Sequence, residues 1–145
     1  MNIKATEKLG IIATIDPQTV ANTELFSDVV DLSAFHQVIG VALLGNMASE
    51  TIDFKAYRCA SDGSSAVSLT AATQLAASAS ANDNSQIAIN VRSDDLMAAG
   101  ARYVKFGLVT GGATGGAASV LVLGVDARFG PASGANLATV KQLAG

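Results

Sequence analysis

The sequence predicts an all-β fold, an antiparallel β-sandwich of jelly-roll type with about eight strands. Three observations predict it. Apolar and polar residues alternate with a period of two in several short runs, the pattern of strands with one buried face. Turn signals separate those runs at fairly even spacing. Helical periodicity is confined to one short turn near residues 93–100, whereas a doubly wound α/β fold needs long alternating helices.

The clearest strands lie between Arg102 and Phe129. Val104, Phe106 and Leu108 alternate with Tyr103, Lys105 and Gly107. Next, Gly111-Gly112-Ala113-Thr114-Gly115-Gly116 has little side chain to fix it and reads as a mobile tip. Beyond it, Leu121, Leu123, Val125, Ala127 and Phe129 share one face. Val120, Val122, Gly124, Asp126 and Arg128 share the other, which begins apolar and turns charged; it is expected to be covered at one end and wet at the other.

Upstream, Leu9–Ile15 is a short β-prone run that Asp16-Pro17 is expected to close as a turn. A further strand is predicted around Ser27–Asp31, and the Ser33-Ala34-Phe35 corner leads into His36–Gly45. There, Val38–Leu44 is almost continuously apolar, as in a strand buried on both faces, or on one face plus a subunit contact. After a turn at Gly45–Ser49, Ile52, Phe54 and Ala56 point inward and Asp53, Lys55 and Tyr57 outward. Asp62-Gly63 is a hairpin signal, because both residues tolerate positive φ, and Val67–Leu75 is the expected partner strand.

The alanines of Ala71–Ala81 favour helix on propensity, but Ser78, Ser80 and Asn82-Asp83-Asn84 favour a loop, so strand followed by loop is expected. Ile87, Ile89 and Val91 form another strand, with Asn90 and Arg92 facing out. Ser93–Gly100 reads as a helical turn, with Ser93 as N-cap, Asp94 and Asp95 in the first turn and Gly100 past its end. The organisation is therefore an N-terminal arm over 1–8, one sandwich domain over 9–130 and a C-terminal arm over 131–145. In that last arm Leu137, Val140 and Leu143 recur at roughly helical spacing and are expected to pack against a neighbouring subunit.

Composition narrows the function. Half of the 145 residues are apolar and only 14% are charged, against roughly 25% in an average soluble domain. The mean hydropathy of +0.40 does not come from a membrane span. The longest apolar run, Ala117–Val125, contains Ser119 and Gly124 and is far short of the ~20 residues needed. No apolar stretch of signal-peptide type follows Lys8 either. A chain so poor in charge is expected to hide part of its surface in an assembly. Its net charge of −3, with nine scattered Lys and Arg, argues against nucleic acid as a partner. Lack of Trp and a 5% aromatic content weaken any reading that needs stacking rings for sugars or bases.

Candidate chemistry is sparse. His36 is the sole histidine, so neither a paired-His metal site nor a Ser-His-Asp triad can draw on a second one. Cys59 ends a strand with no elbow after it, as a packed thiol does. Asn82-Asp83-Asn84 lacks the spacing and closing Glu of a calcium loop, and the glycine-rich tip lacks the Lys-Ser/Thr of a phosphate loop. Asp126 and Arg128 are two apart on one face, free to pair with each other or with a neighbour's charges. No catalytic residue, metal site or cofactor is predicted.

Several motifs carry a resemblance. Thr6-Glu7-Lys8-Leu9-Gly10, Ala13-Thr14-Ile15-Asp16-Pro17-Gln18, the Asp31–His36 corner, Arg102-Tyr103-Val104 and Leu123–Ser133 together resemble small structural proteins from the head modules of tailed bacteriophages. The likeness runs over most of the chain and is weakest from Ser61 to Ser85. Such proteins look like capsid decoration, or cement, proteins. The resemblance implies a β-sandwich that trimerises and sits on the mature shell where capsomers meet. It implies the major capsid protein and further copies of the chain as partners, no membrane, and a place on the virion exterior after synthesis in the host cytoplasm. No catalytic residue carries over. The interface residues expected on this reading are Asp126, Arg128, Phe129, Pro131, Leu137, Val140 and Leu143. Other readings are a tail or head-completion protein, a glycan-binding module using the loops at Asn46, Asp62 and Gly111–Gly116, and, more distantly, a hydrolase relying on Asp94 or His36.

Overall fold

A computed structural model describes residues 4–130, 132, 135–136 and 138–142. Its strands are β1 (Gly10–Val20), β2 (Leu25–Phe26), β3 (Val30–Asp31), β4 (Phe35–Leu44), β5 (Ile52–Cys59), β6 (Val67–Ala71), β7 (Gln86–Arg92), β8 (Tyr103–Thr110) and β9 (Gly116–Ala127). Two helical turns accompany them, α1 (Ala5–Lys8) and α2 (Ser93–Ala98). One sheet has the order β1-β9-β4-β7; the other has β2-β8-β5-β6, with β3 also on β8, and every pairing is antiparallel. The pairings are nested. First strand meets last, β2 and β3 meet β8, β4 meets β7, and β5 turns straight back into β6 at Asp62-Gly63, where Gly63 has φ +81°. This is a long hairpin wrapped on itself into two layers, the jelly-roll architecture.

The core lies between the layers. Val38, Ala42 and Leu44 from β4 and Val120 and Val122 from β9 face Ile52, Phe54, Val104, Phe106 and Leu108 of the opposite sheet. Glycine on the first sheet makes room for large rings. A Cβ at Gly40 would stand 2.5 Å from the Phe106 ring, and one at Gly124 would stand 2.6 Å from Phe35. The rings of Phe54 and Phe106 stack with centroids 5.8 Å apart, so Phe106 is held from both sides.

Several local expectations are corrected. Asp16-Pro17 does not end β1. The register shifts between Ile15 and Gln18 and pairing with β9 then resumes, so the proline occupies a bulge in an edge strand, where its missing N–H breaks no ladder. The described residues form nine strands because Ser27 splits the predicted one into β2 and β3. Its N–H donates to the Phe106 carbonyl at 2.8 Å, and its Oγ accepts from the Phe106 N–H at 3.0 Å in place of a backbone carbonyl. β6 stops at Ala71, leaving Leu75 joined to Ile52 as an isolated bridge. Residues 5–8 form a helical turn, α1, where an arm is predicted, tied by a 2.8 Å bond from the Ala132 N–H to the Glu7 carbonyl. Ser93 is the first residue of α2 and not its cap, because its hydroxyl is taken by Arg128.

The glycine-rich connection crosses from β8 to β9, hence from one sheet to the other, and it is anchored. The buried Glu50 Oε1 accepts from the Gly115 N–H at 2.8 Å, and Gly112 lies so close over the carboxylate that a Cβ would meet it at 2.5 Å. Glu50→Ala would leave a buried N–H unpaired, so a loss of about 1–3 kcal/mol in unfolding free energy is expected. Glu50→Gln retains a carbonyl acceptor and should cost less; chemical denaturation of the two variants checks the order.

Candidate interaction surface

The inner faces are now accounted for, and the outer face of the β1-β9-β4-β7 sheet remains. Antiparallel sheets usually turn polar residues to solvent. Here the two central strands do not. Ile39 and Val41 of β4 and Leu121, Leu123 and Val125 of β9 point away from the core, each half-buried, and Leu43 is 43% exposed. Cross-strand register sets them in rows. Ile11, Leu123 and Ile39 form one, Thr14, Leu121 and Val41 the next, and Leu43 lies opposite Ser119. The sequence reading assigned the Leu121–Val125 side no such role and left the Val120–Arg128 side half wet. The Val120–Arg128 side is as expected, with Val120, Val122 and Gly124 buried and Asp126 and Arg128 exposed, while the Leu121–Val125 side is the outer one.

The rows extend roughly 20 Å along the strands and about 10 Å between the outer strand axes. That makes a patch on the order of a few hundred Å², the size of the largest apolar patch on an ordinary monomer, which is often functional. It is smaller than the ~800 Å² per partner of a stable interface, so it can form the apolar centre of one and needs a rim. The rim is present. Asp126 has φ +53°, which turns its carboxylate to accept from Gln37 Nε2 at 2.9 Å at one end of the rows. At the other end Leu43 borders a groove of about 430 Å³ between the Pro17 bulge and the small floor residues Ala117 and Ser119. Asn90 and Ala88 flank the β7 side.

The predicted site residues divide. Asp126 and Arg128 do not pair with each other; Arg128 Nη2 donates to Ser93 Oγ at 2.9 Å. Phe129 is 74% exposed, Val140 is half-buried, and Pro131, Leu137 and Leu143 lie outside the described residues. The tail residue Asn136 runs beside the free edge of β1, its N–H donating to the Ile11 carbonyl at 2.7 Å and its Nδ2 to Asp28 at 2.9 Å. Ile11, Leu121 and Leu123, which line this outer face, are not among the expected interface residues; Ile39 and Val41 fall within the run expected to make a subunit contact. Their signal was the unbroken apolar run of β4 and the two apolar faces of residues 117–125.

The other sheet turns a different surface outward. Phe26 and Tyr57 meet edge to face at 5.6 Å, Lys105 Nζ lies 4.0 Å from the Phe26 ring centre, and the Tyr57 hydroxyl donates to Glu24 at 2.6 Å. Burial first, then the Glu24 hydrogen bond, pushes the Tyr57 phenol upward. Burial likewise raises the Cys59 thiol, which keeps it protonated. Among the described residues no three His, Cys, Asp or Glu stand together as metal ligands. Asn82 and Asp83 are used to tie loops, Asn82 donating to the Ala76 carbonyl and Asp83 accepting from the Met47 N–H. His36 is exposed at the start of β4. No described helix is long and apolar enough to cross a membrane.

One surface ion pair is well made. Arg102 grips Asp31 with two nitrogens, Nε at 2.7 Å, and the Ser33 N–H adds a bond at 2.8 Å. Chiefly through the arginine, the Asp31 carboxyl is held down at about 2. A carboxyl lowered by folding stabilises the fold above its unfolded pKa, near 3.8, and that contribution disappears as pH falls toward 2. In acid titrations of thermal stability, Arg102→Ala should lose the part of the decline that falls in this window; unchanged slopes would contradict it.

The architecture places the chain among all-β, two-sheet sandwiches. No protein-family model and no curated protein sequence matches it. Solved structures resemble it at low identity and low TM-score. A pilus protein of Bacillus endospore appendages is 11% identical, with a TM-score of 0.44 over 87% of this chain and 97% of that one. The infectious bursal disease virus VP2 subviral particle gives 11% identity and a TM-score of 0.46 over 86% of this chain, which spans about a third (34%) of that protein. The xylan-binding module CBM15 is 13% identical, with a TM-score of 0.37 over 87% of this chain and 96% of that one.

Proposed function

We propose that this chain is a non-enzymatic structural protein of a virion. It binds the outer surface of the mature capsid lattice as an oligomer, a trimer on this reading, and stabilises that lattice. The observation that carries the reading is the apolar outer face of β4 and β9, which a free sandwich would leave against water. Low charge and the resemblance to phage head-module proteins support it. In this reading the face seats on the major capsid protein, on the exterior of particles assembled in the host cytoplasm. Catalysis plays no part. A ligand that fits only the expanded lattice stabilises it by mass action, and a shell repeats each contact many times, so modest affinity at each site suffices.

The test is co-sedimentation of the purified protein with expanded and unexpanded phage shells that lack it. Retention on expanded shells, with a raised temperature of shell disruption, is expected. Failure to bind either form overturns the reading and shifts weight to a tail or head-completion role. A glycan-binding reading draws on the Phe26–Tyr57 pair flanked by Glu24 and Lys105. Calorimetric titration with soluble oligosaccharides, followed by Tyr57→Ala, would establish it.

A further inference from the structure

Beside the end of β9 lies a cavity of about 410 Å³, floored by the buried Leu32 and Leu96 and bounded by Ala101, Met97 and Arg128. Benzene sits in a cavity of ~150 Å³, so this one admits a phenyl ring with room to spare. The arginines at this end of the molecule are unequally matched. Arg102 has Asp31, Arg92 has Asp94 at 3.9 Å, and Arg58 donates to the Ala99 carbonyl. Arg128 meets one neutral hydroxyl, that of Ser93, and no described carboxylate lies within 4.0 Å of it. Its guanidinium has five donors, so most of its capacity is open. Asp126 has the converse position, held by the Gln37 amide and by no described cation. Phe129, at 74%, is the most exposed large apolar side chain among the described residues, and it follows Arg128 directly in the chain.

A base with no described acid, an acid with no described cation and an exposed ring thus fall within four consecutive residues, of which Arg128 lines the cavity. We infer that residues 126–129 of one copy of the chain and this cavity of the next form the contact between copies. Phe129 of one copy fills the cavity of the other, and Asp126 of one answers Arg128 of the other. Repeated head to tail, Asp126 of each copy on Arg128 of the next, the contact closes a ring, as the trimer of the reading above requires. This rests on the oligomeric part of the reading above; it gives Asp126, at one end of the rows, to the contact between copies and leaves the apolar rows of β4 and β9 for the shell.

The test is solution mass by light scattering over a dilution series, with thermal melts to verify folding. Phe129→Ala should weaken association about tenfold or more. Asp126→Arg and Arg128→Asp should each do the same, and the double charge reversal should restore it. Asp126→Asn, which tolerates positive φ, serves if the arginine variant folds poorly, and it too should weaken association. A wild-type monomer at every concentration, or folded variants that associate like wild type, overturns the inference, as does a folded double reversal that stays dissociated. Shell co-sedimentation is read separately. Unaltered oligomers that still bind shells would sink this contact alone, whereas wild-type protein that ignores shells would sink the functional reading.

Discussion

Gly40→Ala is expected to lower the unfolding free energy by about 1–3 kcal/mol, the cost of forcing extra volume into a packed core. The new methyl would sit 2.5 Å from two atoms of the Phe106 ring. That ring cannot step aside, since it is fully buried and stacked on Phe54. Shortening the obstacle should relieve the clash. Phe106→Leu alone leaves a void and destabilises. In combination with Gly40→Ala the two losses should fall short of their sum by more than about 0.5 kcal/mol, the coupling expected of residues in contact. Urea denaturation of the two single variants and the double variant measures this, and strict additivity would show that the ring and the glycine do not share the space described.

The second large effect concerns the outer face. Leu121→Lys should keep the fold to within about 1 kcal/mol, because Leu121 points outward and a lysine can extend its charge past Thr14 and Val41 into water. Binding to expanded shells should nonetheless fall on the order of 100-fold, about 2.7 kcal/mol, since a charge would be buried in the centre of the contact. Val41→Lys, on the neighbouring strand, should behave alike, whereas Lys55→Glu on the opposite sheet should change little. Titration of shells with each variant gives the comparison.

Much of this architecture can be read from the chain. Period-2 alternation located β5, β7 and β8 with the correct residues inward, and Asp62-Gly63 marked the turn between β5 and β6. The errors have physical causes. Asp16-Pro17 carries a turn signal, but whether a proline ends a strand or bulges it depends on whether a partner strand continues past it, and β9 lies a hundred residues away in sequence. Val120 and Val122 read as the covered end of β9 and are buried, but nothing in the sequence marks Gly124 as buried beside them. Its value is the space it gives Phe35, which sequence cannot display. Glu50 gave no sign of its role under Gly112 and Gly115, since a lone glutamate in a turn reads as surface. The candidate surface was half legible. The unbroken apolar run of β4 announced a second covered face, but only the sheet order shows that β9 lies beside it and doubles the patch.

The most direct test of the central claim is hydroxyl-radical footprinting of the protein free and bound to expanded shells. The account predicts that Leu43, Leu121 and Leu123 lose label on binding, while Phe26 and Tyr57 on the other sheet keep theirs. Protection of Phe26 and Tyr57, with the β4–β9 face labelled as before, would contradict it.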